Sequence, residues 1–206
     1  MIISDSQRFL FVHVQKTGGS AFDLAVKKVI PDVRSIPRTD RHSSLATILE
    51  LEPQLRDYWT AGFVRNPWSR MLSWYRMVDR FREGAATRGG FRQHLTRNQF
   101  LAEAAKHHHD FESFVMQGTE RFRRLRIPQV HYLSTKTRRA DFVGRQETFD
   151  ADVRAIFARL DLPRPEIPPV NVDPARPDYH DAYTEPMRKR IEELFARDIE
   201  VFGYRY

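Results

Sequence analysis

The 206-residue chain contains no cysteine, and this absence excludes both a disulfide framework and a cysteine-based zinc site. No apolar run approaches the length of a membrane-spanning helix. None of the asparagines begins an N-x-[ST] glycosylation sequon. A strand pattern begins close to the first residue, so we expect no signal peptide.

Lysine is also scarce, since six lysines stand against 28 arginines within a formal net charge of +7. Arginine is the better partner for planar anions and for phosphate, so this composition favours acidic ligands. We do not expect nucleic-acid binding, because no nucleic-acid motif accompanies the charge. With 41% hydrophobic residues the chain can bury a sizeable core, and we predict a single domain over residues 1–206.

The most informative segment is a strand, a turn and a helix start near the N-terminus. Phe9–Val14 is almost wholly apolar, which is typical of a parallel strand covered on both faces. Gly18 and Gly19 follow it, and glycine allows positive φ and a close approach of backbone N–H groups to a ligand. Ala21–Ile30 then has apolar residues at helical spacing, and Pro31 ends the predicted helix.

The turn between this strand and helix carries the groups of an anion site. Thr17 and Ser20 supply hydroxyls, Lys16 supplies a positive charge, and the helix start supplies N–H groups. We interpret the turn as a phosphate-type site. It is not the P-loop of nucleoside triphosphatases, because that motif places its lysine after the last glycine. An ordinary glycine turn is the alternative interpretation.

A second segment has the same organisation. Tyr58–Val64 predicts another buried strand, and Arg65 follows at its carboxyl end, where open α/β sheets bind ligands. Asn66 is a good N-cap and Pro67 a good first residue for the helix that comes next, on which Ser73 lies two turns along. Arginine and a hydroxyl together can hold a phosphate monoester. Two anion sites on neighbouring strand ends suggest a ligand with phosphates at both ends.

Strands followed by helices, with anion sites at the strand ends, predict an α/β protein, namely a three-layer α/β/α fold around a mostly parallel sheet. The segment Gly84–Asn98 is basic and contains glycine, and we interpret it either as an acceptor-side lid or as a solvated surface loop. The other predicted elements are helices over Ser43–Leu51, Asp110–Met116, Thr148–Leu162 and Thr184–Ile199, a strand over Ala140–Val143, and a proline-rich loop over Pro163–Pro177.

The two anion segments together resemble the carbohydrate sulfotransferases that use 3′-phosphoadenosine 5′-phosphosulfate (PAPS). Val14-Gln-Lys-Thr-Gly-Gly-Ser20 is similar to the 5′-phosphosulfate loop of that family (sulfotransferase family 2 type), in the glutamine form of heparan sulfate 6-O-sulfotransferases. Phe63-Val-Arg-Asn-Pro-Trp-Ser-Arg-Met-Leu-Ser-Trp-Tyr75 is similar to the family's 3′-phosphate motif. The resemblance continues through Arg41–Ser44, Pro128–Leu133, Asp141–Glu147 and Asp198–Tyr204.

This resemblance implies a P-loop-like PAPS-binding fold and assigns roles to individual residues. Lys16 would neutralise charge on the bridging oxygen of the donor, and the residues after it would hold the 5′-phosphate. Arg65 and Ser73 would hold the 3′-phosphate. The residues assigned to PAPS are Lys16, Thr17, Gly18, Gly19, Ser20, Arg65 and Ser73.

The transfer also needs a general base, because an alcohol is a poor nucleophile until its proton is being removed. His42 is the preferred candidate, since it lies between the two motifs, where the resembled family carries a histidine in its acceptor cleft. Glu147 and His13 are the reserves. We interpret His13, which lies inside the apolar strand, as a hydrogen-bonded core histidine in the first place.

The predicted activity is transfer of a sulfuryl group from PAPS to a hydroxyl of a carbohydrate or other small alcohol, in a cytoplasmic enzyme of bacterial type. Two alternatives stay open: a nucleotide-dependent phosphotransferase and a non-catalytic module that binds polyanions through its arginines. No metal is expected, because the resembled enzymes need none and His107–His109 are consecutive residues of a predicted helix, which point in different directions.

Overall fold

The computed structural model describes residues 1–87, 98–163 and 178–206. The chain divides into two compact units. The first contains residues 1–65 and the described residues from Gln129 to 163, and the second contains the described residues from Asn66 to Pro128 and from 178 to Tyr206. The single domain expected from the sequence stays a prediction.

The first unit is built on a four-stranded sheet with the order β1-β2-β3-β4. β1 is antiparallel to β2, whereas β2, β3 and β4 are parallel, with Phe11 opposite Ala61 in the register. The strands are β1 (Ile2–Ser4), β2 (Phe9–Val12), β3 (Trp59–Val64) and β4 (Phe142–Arg145). The predicted α/β class and mostly parallel sheet are confirmed.

Helices alternate with these strands along the described chain, with 3₁₀ turns at Pro53–Asp57, Arg123–Arg126 and Tyr179–Ala182 and a π-helical turn at Phe114–Gly118. None of the helices in the described ranges is long and apolar enough to cross a membrane. The helices are α1 (Gly19–Lys27), α2 (Leu45–Leu51), α3 (Pro67–Thr87), α4 (Gln99–His107), α5 (Phe111–Ser113), α6 (Thr119–Arg121), α7 (Gln129–Leu133), α8 (Phe149–Arg159), α9 (Glu185–Leu194) and α10 (Ala196–Phe202).

Both faces of the sheet in the first unit are covered, because side chains alternate between the faces along each strand. On one face Phe11 and Phe63 pack with Phe22 of α1 and Phe157 of α8 in one hydrophobic cluster. On the other face Leu133 of α7 lies where a side chain of Gly62 would lie. The first unit is therefore a three-layer α/β/α arrangement, as predicted.

The second unit is helical and begins with the predicted cap. The side-chain oxygen of Asn66 accepts hydrogen bonds from the backbone N–H groups of Trp68 (3.0 Å) and Ser69 (3.3 Å), and Pro67 is the first residue of α3. The apolar face of α3 packs against α4 and α9 in one buried cluster. Its members include Trp68, Met71, Trp74, Val78, Phe100, Ala104, Met187 and Ile191.

Three sequence expectations are corrected. The predicted final helix from Thr184 to Ile199 is two helices, because α9 ends at Leu194 and α10 begins at Ala196, with Phe195 non-helical between them (φ −117°, ψ 23°). The predicted helix over Asp110–Met116 is a short α5 followed by a π-helical turn. The predicted loop Gly84–Asn98 begins later than expected, since α3 continues to Thr87, and residues 88–97 lie outside the described residues, as does most of Pro163–Pro177.

Candidate functional site

The turn between β2 and α1 has the geometry of an anion cradle. Gly18 is the N-cap residue of α1 and is left-handed (φ 91°). Gly18 has no side chain that could cap this helix end. Lys16 is also left-handed (φ 70°), a conformation that is strained for a residue with a side chain and that tends to occur at functional sites. An uncapped helix start therefore presents its N–H groups beside a lysine.

Neither Gly18 nor Gly19 leaves space for a side chain. A Cβ atom at Gly18 would lie 2.7 Å from Cε2 of Phe149, the first residue of α8. A Cβ atom at Gly19 would lie 2.3 Å from Cδ2 and 2.4 Å from Nε2 of His13. Glycine is thus needed at these positions for packing under the turn, in addition to the φ of Gly18.

The two hydroxyls of the turn have different environments. Thr17 is buried, and its hydroxyl donates a hydrogen bond to the carbonyl oxygen of Val14 at 2.9 Å. Because a hydroxyl has one proton, the group of Thr17 that we expect to serve a phosphate is its backbone N–H. Ser20 is exposed in the first turn of α1, while Lys16 is half-buried. The roles of these residues toward PAPS stay predictions.

Arg65 is buried at the carboxyl end of β3, with 5% of its surface exposed. Its backbone N–H donates to the side-chain oxygen of Gln129 at 2.9 Å, and the side-chain amide of Gln129 donates to the Arg65 carbonyl at 2.8 Å. The guanidinium donates to the carbonyl oxygen of Lys16 at 3.4 Å. Arg65 therefore lies against the glycine turn. The predicted partner of Arg65 on the 3′-phosphate, Ser73, lies half-buried on α3 in the second unit.

His42 lies in the connection between α1 and α2, and its ring is held in one tautomer. Its Nδ1 is 2.8 Å from the carbonyl oxygen of His13, and a carbonyl only accepts, so Nδ1 carries the proton. Nε2 therefore keeps a lone pair. Burial lowers the pKa of His42 below its ordinary 6.5, while the His13 carbonyl and Asp40 act in the opposite direction. A neutral imidazole with a basic Nε2 is what a general base requires.

His13 is buried and hydrogen-bonded, as the sequence predicted. Its Nδ1 accepts a hydrogen bond from the guanidinium of Arg41 at 2.9 Å. Its ring lies edge-on to that of His42, with 4.6 Å between the ring centroids. Burial, His42 and Arg41 lower the pKa of His13 to about 2, so the ring is neutral. No sequence pattern predicts the contact of Arg41 with His13, and the one indication is that Arg41 directly precedes His42.

The other candidates are Glu147 and the histidine triplet. Glu147 is exposed between β4 and α8. Of the histidine triplet, His107 ends α4, and His108 is buried edge-on against Phe114 and Phe122. Within the described ranges, no three His, Asp or Glu side chains converge as a metal site would require.

Gln129 is the contact residue that sequence reasoning missed. It lies in a block that carries the family resemblance, yet neither its spacing nor its residue type indicates that it would clamp Arg65. Gln129 is fully buried, and a buried amide without hydrogen-bond partners would destabilise the fold. Its two hydrogen bonds to the Arg65 backbone supply those partners. This clamp fixes the backbone from which the arginine side chain projects.

The chain is similar to known proteins over almost its whole length. The model of the Sulfotransferase family matches residues 1–205. Carbohydrate sulfotransferase 14 of Danio rerio is 22% identical over 228 residues, which cover 99% of this chain and 62% of that protein. Carbohydrate sulfotransferase 14 of Homo sapiens is 25% identical over 187 residues, which cover 79% of this chain and 47% of that protein. The chain thus spans less than two thirds of either relative, and no solved structure matches it. The chain belongs to the Sulfotransferase family.

Proposed function

We propose that this member of the sulfotransferase family transfers a sulfuryl group from PAPS to a hydroxyl of a carbohydrate and releases adenosine 3′,5′-bisphosphate. The observation that carries the proposal is a helix start with a glycine N-cap beside Lys16, together with a histidine whose Nε2 is kept unprotonated. The first feature suits an anionic donor, and the second suits an alcohol acceptor. His13 links the two features, because its ring occupies the space that a side chain of Gly19 would need and its carbonyl oxygen binds Nδ1 of His42.

PAPS would supply the activated sulfuryl group and a leaving group that gains negative charge. The N–H groups of Thr17, Gly18, Gly19 and Ser20 at the start of α1 would bind that charge, together with the helix dipole. Lys16 would neutralise the charge that grows on the bridging oxygen as the bond to sulfur breaks. We propose that positioning and charge neutralisation provide most of the rate, as they do in phosphoryl transfer.

Recognition of the 3′-phosphate is proposed for Arg65 and Ser73. The support for Arg65 is its burial beside the glycine turn and the Gln129 clamp on its backbone. A buried guanidinium meets a phosphate with two parallel, charge-assisted hydrogen bonds. Ser73 is proposed from the family motif and from its place two turns along α3.

His42 is proposed as the general base. Its Nδ1 proton is committed to the His13 carbonyl, so Nε2 accepts the proton of the acceptor hydroxyl as that oxygen attacks sulfur. Because the pKa of His42 is lowered, the ring is neutral near pH 7. Lowered basicity is the accompanying cost, since a weaker base removes a proton less readily.

The proposed acceptor is a carbohydrate, because both relatives are named carbohydrate sulfotransferases. We propose the cytosol as the compartment, since PAPS would be made there. An acceptor screen with isotopically labelled PAPS, read by mass spectrometry, tests the activity. A product whose mass increases by one sulfuryl group, lost in His42→Ala, supports the proposal. Transfer of phosphate from ATP would instead identify a phosphotransferase, and polyanion binding without affinity for the free bisphosphate would identify a binding module.

A further inference from the structure

We propose that His13 is a positioning residue that joins the anion turn to the proposed base His42. The inference rests on the proposed function, because the role concerns that reaction. His13 contacts both parts of the site, since its carbonyl oxygen binds Nδ1 of His42 and its ring occupies the space beside Gly19. The anion turn and His42 are therefore held in a fixed position relative to each other.

The backbone of His13 sets the tautomer of His42. The 2.8 Å contact between the His13 carbonyl oxygen and Nδ1 of His42 places the proton on Nδ1, and the acceptor side of the ring is then Nε2. His13 directly follows β2, whose end at Val12 is held by pairing with β3. The tautomer therefore depends on a well-anchored backbone group, and it persists whatever side chain occupies position 13.

The ring of His13 does the rest of the positioning. Arg41 donates to Nδ1 of His13, which places the His13 proton on Nε2 and fixes the ring plane. In that orientation the ring fills the space beside Gly19, the first residue of α1. The same ring supports His42 edge-on at 4.6 Å. Removing the ring would leave both the helix start and the base without this support.

Burial is the main cause that keeps His42 neutral, and the charged groups that face its ring act in both directions. Asp40 is negative and raises the pKa of His42, while Arg41 is positive and lowers it. Burial lowers the pKa of the Met1 amino group to about 5, so that amine carries little charge near pH 7. His13 is neutral, so it contributes packing and a hydrogen-bond acceptor without charge. A ring that served packing alone could be replaced by another buried side chain with no effect on the titration or orientation of His42.

Nuclear magnetic resonance tests the inference without any substrate. Long-range proton–nitrogen correlation spectra report which ring nitrogens are protonated, and His42→Ala assigns the His42 signals. We expect Nδ1 protonation in His42 and Nε2 protonation in His13. In His13→Ala we expect the pKa of His42 to rise toward 6.5, because burial is the main cause that lowers it. A mixture of tautomers in wild-type His42, or an unchanged pKa in the variant, would overturn the inference.

Kinetic measurements at pH 8 test the same role. At this pH His42 is neutral in every variant, so differences in kcat report on the orientation of its ring. His13→Ala should lower kcat about 10- to 100-fold and leave bisphosphate affinity within about threefold. His13→Asn should recover part of kcat, because the asparagine oxygen can accept from Arg41 as Nδ1 does, whereas the packing of the ring against His42 is lost. Unchanged kcat in a folded His13→Ala protein would contradict the role.

Arg41→Ala provides a second variant if His13→Ala does not fold, since Arg41 is exposed. Loss of its charge and hydrogen bond should raise the pKa of both histidines and release the His13 tautomer. Arg56→Ala is the matched control, because Arg56 is likewise an exposed arginine and lies in the 3₁₀ turn before β3. Equal effects of the two arginine variants would overturn the inference. If no acceptor is ever sulfated, the spectra still decide the inference, whereas the activity assays decide the proposed function.

Discussion

Gly19→Ala is the perturbation for which the structure makes the sharpest prediction. The new Cβ atom would lie 2.3 Å from Cδ2 and 2.4 Å from Nε2 of His13, well inside van der Waals contact. Gly19 is in α1 with a negative φ, so the backbone itself accepts alanine. The His13 ring is 4% exposed and held by Arg41, so it cannot move without losing that hydrogen bond. Any damage is therefore steric.

Three contributions set the expected change in the free energy of unfolding of Gly19→Ala. Overpacking a buried site costs about 1–3 kcal/mol, and loss of the bond from Arg41 to His13 costs about 1 kcal/mol. Alanine in place of glycine within a helix returns about 1 kcal/mol. The net loss is about 2 kcal/mol, which lowers Tm by about 4–8 °C for a chain of this size.

Thermal and urea unfolding of a double-mutant cycle measure the effect. In a His13→Ala background the space beside Gly19 is empty, so Gly19→Ala should lose most of its cost. Gly84→Ala is the control, because a Cβ atom at Gly84 meets nothing within 4 Å in α3 and should raise stability slightly. Additive effects of the His13 and Gly19 substitutions would refute the reasoning.

The remaining predictions concern ligand binding, turnover and pH. Calorimetry should show adenosine 3′,5′-bisphosphate binding more tightly than adenosine 5′-phosphate by about 2–4 kcal/mol, and Arg65→Ala should erase most of this preference; equal affinities in the wild type would contradict the 3′-phosphate assignment. Lys16→Ala should lower kcat by orders of magnitude and weaken bisphosphate binding less; an affinity loss alone would make Lys16 only an anchor. His42→Ala should lower kcat by about 10²–10⁴ and abolish the acidic limb of the pH profile, and turnover that survives would move the base elsewhere. Because folding lowers the pKa of His13 from 6.5 to about 2, the contribution of its neutral ring to the free energy of unfolding is fully present above about pH 6.5 and is lost as the pH falls. The free energy of unfolding should decrease by about 2 kcal/mol between pH 7 and 5, and urea midpoints would detect this loss.

The glycine turn and the start of α3 were predictable because their signals are local. Gly18 permits the left-handed turn, and Asn66 with Pro67 satisfies and preorganises the first helical turn whatever the rest of the chain does. Apolar spacing along β2 and β3 likewise predicted buried parallel strands. Their exact ends were less predictable, since β2 ends at Val12 where backbone pairing with β3 stops.

The break between α9 and α10 was not predictable from periodicity. The apolar stripe continues through Phe195, yet the backbone there leaves helical geometry and lets two short helices follow each other. The side chain of Phe195 is fully buried in the cluster of the second unit. Tertiary burial thus overrides a local helical preference at this residue.

The sequence by itself determined which residues carry charge and hydroxyls at the strand ends, because those positions follow from short-range pattern. Only the tertiary structure decided how these groups are held. The Gln129 clamp on Arg65 joins residues 64 apart in sequence, and the tautomer of His42 depends on a carbonyl 29 residues away. Such contacts form when separate strands and loops pack together, and the spacing of residues along the sequence does not predict them.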